Sequence, residues 1–212
     1  MTTDERQSAE MFFDPLCPWA WMTSRWLMEV EKVRPIEVTW SVMSLSVLNE
    51  GREDLSEGYR ELLDRGWGPV RVIIAADRDH GPEYRKKLYD GIGTRLHPGG
   101  MGGTDEGQRQ AVTEALAEAG LPGDLMAFYD NDPGDEIDKR LRESHQRGIG
   151  LVGEDVGTPV VSFGDVAFFG PVVTPAPKGE AAGKLWDGCL LVAGTPGFYE
   201  IKRTRVVGPD FS

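Results

Sequence analysis

The stretch F-F-D-P-L-C-P-W-A-W, Phe12–Trp21, changes structural character twice within ten residues. Ser8–Asp14 is a short apolar run that reads as a buried strand, closed by the breaker Asp14-Pro15. Beyond Cys17-Pro18, apolar residues at Met22, Trp26, Val30 and Val33 predict a helix over Trp19–Lys32. Proline suits a first helical turn, so Cys17 is expected at the helix N-cap or one residue before it. The next segment, I-E-V-T-W-S-V-M (Ile36–Met43), alternates apolar and polar residues and predicts a second strand. The chain therefore opens on a strand–helix–strand unit with a cysteine at its first turn.

The middle of the chain is different. From Leu55 to about Gly148 the pattern is mostly helical, with pieces expected at Gly58–Arg65, Pro82–Arg95, Asp105–Ala119 and Gly134–Arg147. Gly66, Gly68, Gly81, the run His97–Gly103 and Leu121–Gly123 punctuate them. Strand signals return at Thr158–Phe163 and Val166–Gly170, and Gly164-Asp165 between them predicts a hairpin. A last helix is expected over Lys178–Ala193, with Leu185, Trp186, Cys189 and Val192 inward, followed by a charged tail. Removing the helical block leaves βαβ joined to ββα, the thioredoxin arrangement. The expected class is therefore α/β, a thioredoxin-like fold with a large all-helical insertion. Residues 1–54 and 149–212 would form its two halves and 55–148 the insertion.

A chain of 212 residues suffices for such a core. Its net charge of −12 argues against nucleic acid or an anionic membrane as partner, because both require a basic surface. The polar start M-T-T-D-E-R-Q-S-A-E has no apolar secretory stretch, and a cytoplasmic protein is expected. Two cysteines, Cys17 and Cys189, fit a reducing compartment and supply no disulfide framework. His80, His97 and His145 lack ligand spacing, so no metal is expected. A homodimer is left open.

Cys17 is the main candidate for chemistry. Unpaired N–H groups and the positive end of a helix dipole favour a thiolate, and a pKa of roughly 3.5–7.5 is reached at such positions. The competing reading is a small buried hydrophobe at a strand end. Thr158-Pro159, in G-E-D-V-G-T-P-V-V, is the second piece. In thioredoxin-like folds a proline at this point is cis and lies against the reactive cysteine, with the residue before it, here Thr158, offering backbone groups to an extended thiol; an ordinary trans proline is the alternative. Asn49 follows the second strand, Tyr59 opens the first inserted helix and His97 introduces the glycine run, so the three could line a pocket between the halves. Each also reads as an ordinary turn or helix-end residue. Cys189 reads as a buried structural thiol, His80 and His145 as solvated helix-end residues, and Glu154-Asp155 as a solvated loop. Gly99–Gly103 does not follow a strand and is no dinucleotide fingerprint.

These residues resemble a known family. The Cys-Pro-Trp motif, the G-T-P-V-V segment and the helical block between them look like the DsbA-like branch of the thioredoxin superfamily, which includes kappa-class glutathione transferases and hydroxychromene-carboxylate isomerases. More narrowly, F-D-P-L-C-P-W-A-W-M-T-S-R-W and V-G-E-D-V-G-T-P resemble the actinobacterial mycothiol-dependent nitroreductases. The resemblance implies Cys17 as nucleophile, with Pro18 and Trp19 shaping its site, Pro159 as the cis-proline, and Asn49, Tyr59 and His97 at the pocket. It also implies mycothiol, or another low-molecular-weight thiol, as co-substrate beside a small electrophilic or aromatic partner. One departure stands out: Ala20 occupies the place of the family's second motif cysteine. A lone cysteine can still form a mixed disulfide that a second small thiol resolves, but it is open to overoxidation. A thiol-cofactor isomerase or transferase, and a non-catalytic binding protein, are the rival expectations.

Overall fold

The computed structural model describes residues 6–132 and 134–212. Its centre is a four-stranded sheet in the order β2-β1-β3-β4. β1 (Gln7–Phe13) pairs in parallel with β2 (Ile36–Val42), Phe13 lying opposite Val42. On its other edge β1 pairs antiparallel with β3 (Val160–Phe163), Phe12 opposite Val160, and β3 forms a hairpin with β4 (Val166–Phe169). β1 is thus central and covered on both faces. Met11 and Phe13 join the main core, whereas Phe12 points into a smaller cluster with Met43, Ile149 and Val160. This alternation is the period of two that a strand imposes.

Helix α1 (Pro18–Val30) starts directly after the β1 turn and packs against α8 (Glu180–Ala193). Trp26 fixes that contact: its indole N–H donates to the Ala182 carbonyl at 3.1 Å, and its ring lies 5.9 Å from that of Trp186. Between β2 and β3 come α2 (Leu45–Leu48), α3 (Glu57–His80), α4 (Glu83–Leu96), α5 (Asp105–Ala119), α6 (Ala127–Asp130) and α7 (Glu136–Ile149). The fold is thioredoxin-like with helical material inserted, as the order of patterns predicts.

Three expectations need correction. The first inserted helix does not stop near Arg65; α3 runs 24 residues through Gly66, Gly68 and Pro69. A side chain at Gly66 would strike the Ser46 hydroxyl, and one at Gly68 would lie 2.6 Å from the Tyr129 ring. Here the glycines permit close approach of α2 and α6, and that packing outweighs a propensity cost of about 1 kcal/mol each. His145 is not a solvated helix end: it is 5% exposed, and its Nδ1 accepts the Ser44 N–H at 3.3 Å. On α8 the fully buried positions are Ala182, Gly183 and Trp186, while Leu185, Cys189 and Val192 are half-buried. Cys189 therefore borders the surface, though desolvation still pushes its thiol up to about 11.

Candidate active site

The turn between β1 and α1 is built from its own backbone. Cys17 N–H donates to the Asp14 carbonyl at 3.0 Å, and Trp21 N–H returns to the Cys17 carbonyl at 3.1 Å. Cys17 is the N-cap of α1, in an extended conformation, with Pro18 in the first turn. Its Sγ accepts the Ala20 N–H at 3.4 Å, filling one of the donor positions that a helix start leaves unpaired.

The second half of the site comes from far along the chain. The Thr158–Pro159 peptide is cis. The Cys17 S–H donates to the Thr158 carbonyl at 3.4 Å, which brings the start of α1 against the start of β3. Cys17 is 5% exposed and Thr158 4%. The Thr158 hydroxyl is buried without a hydrogen-bond partner. That hydroxyl is free to turn toward the sulfur or toward a ligand.

The electrostatics differ from the expectation of a depressed thiol pKa. Burial is the largest influence and pushes the Cys17 thiol above its ordinary value, with Asp14 adding to the rise. The Thr158 side chain and the Ala20 amide pull it down without prevailing. The helix start is in place, but it acts in a dry setting where any charge is penalised.

Tyr59 and His97 both adjoin this turn, and Asn49 lies beside Tyr59. Asn49 caps α2; its amide donates to the Leu45 carbonyl at 2.8 Å, and its Oδ1 accepts from Arg52 at 3.3 Å. Tyr59 is half-buried, its hydroxyl raised first by burial and then by the neighbouring charges of Asp14 and Cys17, with Asn49 as a hydrogen-bonding neighbour. His97 ends α4 and reaches the Pro15 carbonyl through Nε2 at 3.0 Å, so it braces the turn from outside. Burial pushes its imidazole down to about 4. Its ring lies between Trp21, 5.6 Å away, and Phe211, 5.5 Å away.

Ala20 is fully buried, so the place of a second motif thiol is filled by packed methyl. Trp19 is half-buried, and the Arg205 guanidinium lies over its ring at 5.3 Å. After α8 the chain thus returns across the start of α1, and Asp210 N–H is tied to Thr174 Oγ1 at 2.7 Å. Asp14, Arg205 and Phe211 were not singled out from sequence. Asp14 reads locally as part of a breaker, and the tail residues have no pattern that announces where they dock. Among the described residues, no three His, Cys, Asp or Glu side chains gather as a metal site, and no helix is long and apolar enough to cross a membrane.

Comparison with known proteins gives a consistent picture. A family model described as Rv2466c-like, mycothiol-dependent nitroreductase Rv2466c, matches residues 16–203. The uncharacterized protein Rv2286c of Mycobacterium tuberculosis (strain ATCC 25618 / H37Rv) is 30% identical over 202 residues, covering 93% of this chain and 82% of that one. Among solved structures, a 2-hydroxychromene-2-carboxylate isomerase superposes with a TM-score of 0.54 at 12% identity, covering 77% of this chain and 88% of its own. The oxidoreductase DsbA of Xylella fastidiosa superposes at 0.51 with 16% identity, covering 86% and 83%. At these identities the structural likeness is one of fold.

Proposed function

The chain belongs to the Rv2466c-like family of mycothiol-dependent nitroreductases, and from that premise we propose that it is a cytoplasmic, mycothiol-dependent reductase working through the single nucleophile Cys17. The observation that carries the reading is the placement of the Cys17 sulfur between the Ala20 amide and the Thr158 carbonyl beside Pro159. Pro18 holds the turn, Trp19 offers a flat apolar face, and Thr158 with Pro159 presents backbone to an incoming thiol. Asn49 and Tyr59 border the co-substrate, and His97 supports the turn beneath it. The division into 1–54, 55–148 and 149–212 belongs to the same reading, with the inserted helices roofing the site.

The electron balance is that of monothiol exchange. The Cys17 thiolate attacks the mycothiol sulfur of a mixed disulfide, forming a Cys17–mycothiol disulfide and releasing the partner as a thiolate, which takes up a proton. A second mycothiol thiolate attacks the bound mycothiol sulfur, yielding mycothiol disulfide and returning the Cys17 thiolate. The net change converts one mycothiol thiol and one mixed disulfide into the released partner thiol and mycothiol disulfide. With Ala20 at the fourth motif position, the exchange has no internal resolving thiol.

The test is Cys17→Ser, assayed for mycothiol-dependent reduction of disulfide and nitroaromatic substrates, with intact-mass analysis after exposure to mycothiol disulfide. One mycothiol adduct on the wild type, none on the variant, and loss of turnover are expected. Undiminished turnover ends the proposal. A second reading is favoured by the elevated Cys17 thiol: an isomerase or transferase in which mycothiol is the nucleophile and neutral Cys17 only orients it. In that case Cys17→Ser keeps substantial isomerase or transferase activity and the wild type traps no adduct. Absence of any thiol reaction would point to a binding protein.

A further inference from the structure

Asp14 is a buried titratable group to which the proposed reaction gives no task. Its side chain is 1% exposed. Oδ1 accepts the Leu16 N–H at 2.8 Å, and Oδ2 accepts the Leu45 N–H at 2.7 Å. Leu16 immediately precedes Cys17, and Leu45 opens the short helix that Asn49 caps. One carboxylate therefore joins the turn that carries the sulfur to the segment that carries Asn49. His145 holds the same junction from α7 through the neighbouring amide of Ser44.

No cation pairs with Asp14 among the described residues. The titratable groups around it are Cys17 from α1, Tyr59 from α3, His145 from α7 behind Ser44, and His97 from the end of α4 behind the Pro15 carbonyl. Burial pushes both histidines down to about 4, so neither is a counter-ion at neutral pH. A buried carboxylate held by two amides and no cation is strained electrostatically. Burial pushes Asp14 up to about 6, against the pull of the Leu45 and Leu16 amides. Its charge in turn makes ionisation of Cys17 and of Tyr59 harder.

We propose that Asp14 is a positioning residue for Cys17, whose carboxylate fixes the sulfur-bearing turn against α2 and whose unpaired charge keeps the resting thiol protonated. The arrangement suits a site with alanine at the fourth motif position. A resting thiolate without a resolving neighbour would be oxidised beyond sulfenic acid with no internal disulfide to stop it. Loss of the Cys17 proton raises the affinity of Asp14 for one by the same amount, so the two groups titrate as a pair.

The test is Asp14→Asn in a Cys189→Ser background, following alkylation of Cys17 by iodoacetamide across pH. Asparagine keeps one amide contact and removes the charge. The reactivity midpoint should fall by about one unit, so that alkylation near pH 7 becomes roughly tenfold faster, and sulfinic acid should form sooner under peroxide. A midpoint unchanged or raised overturns the proposal; a carboxylate that served only as a structural clamp would not lower it. The wild-type side chain at position 14 supplies a second readout if the variant does not fold. Ionisation of Asp14 should offset about half of the gain in thiolate near pH 6, leaving a shallower stretch in a plot of log rate against pH. A single unbroken slope overturns the proposal equally. Neither readout requires mycothiol, so each stands apart from the outcome for the proposed reaction.

Discussion

Replacing Thr158 by valine isolates one hydroxyl and leaves the shape of the site almost unchanged. The Thr158 carbonyl, which accepts the Cys17 S–H, is backbone and stays in place. The side-chain hydroxyl is buried with no partner, yet it favours the ionised sulfur. A hydrogen bond to a charged group contributes about 1.5–3 kcal/mol, and one pKa unit corresponds to about 1.4 kcal/mol. Loss of the hydroxyl should therefore raise the Cys17 pKa by about 1–2 units and slow alkylation at a fixed pH below the midpoint by about 10–100-fold. The assay is the pseudo-first-order rate of iodoacetamide labelling from about pH 6 to about pH 10 in a Cys189→Ser background. Because valine removes an orphaned polar atom, the variant should melt at or above the wild type, which separates a local electrostatic effect from unfolding. A labelling midpoint that matches the wild type would refute the reasoning, since the hydroxyl would then not reach the thiolate.

Other outcomes follow from the same geometry. Ala20→Cys should, on oxidation, lose two hydrogens by intact mass and fail to accumulate a mycothiol adduct, at a packing cost of about 1–3 kcal/mol because Ala20 is fully enclosed. An adduct as abundant as in the wild type would show that the two sulfurs do not meet. Gly93→Ala drives a methyl into the ring of Trp21, which Tyr89, His97 and Arg25 hold on its other sides. Overpacking of about 1–3 kcal/mol should lower the melting temperature by roughly 2–12 °C, and an unshifted melt would contradict it. Asp14 is raised on folding, so the stability it contributes is full below about pH 4 and is lost as pH climbs through about 6. Urea unfolding should find Asp14→Asn gaining on the wild type by up to about 3 kcal/mol across that window, and parallel curves would rule the effect out.

The parts of this fold that follow local rules are legible in sequence. Proline after Cys17 marks a helix start, alternation over Ile36–Met43 marks a strand, and Gly164-Asp165 marks a hairpin, because each is decided within a few residues. The meeting of Cys17 with Thr158-Pro159 follows from the likeness to thioredoxin-like folds, in which that proline lies against the cysteine. What escaped is what only tertiary packing decides. Gly66, Gly68 and Pro69 look like breakers and lie inside α3, since close approach to Ser46 and Tyr129 rewards the missing side chains. His145 looks like a surface residue and is buried against Ser44. Asp14 looks like half of a breaker, although its carboxylate reaches Leu45 across 31 positions of chain. The elevated Cys17 thiol escaped for a similar reason: the helix start is visible in the motif, whereas the degree of drying around it is not.

The wide separation in the chain between Cys17 and its partners has a temporal side. Thr158 lies 141 residues downstream, and β1 remains unzipped on one edge until Val160–Phe163 emerge. At about 5–20 residues per second, the ribosome needs roughly 7–28 s to make that span. Throughout it the nascent sulfur has neither its carbonyl acceptor nor the indole cover that Arg205 later pins down. This cysteine is therefore least covered while it is newly made, and synthesis of the segments that carry Thr158 and then Arg205 is what covers it.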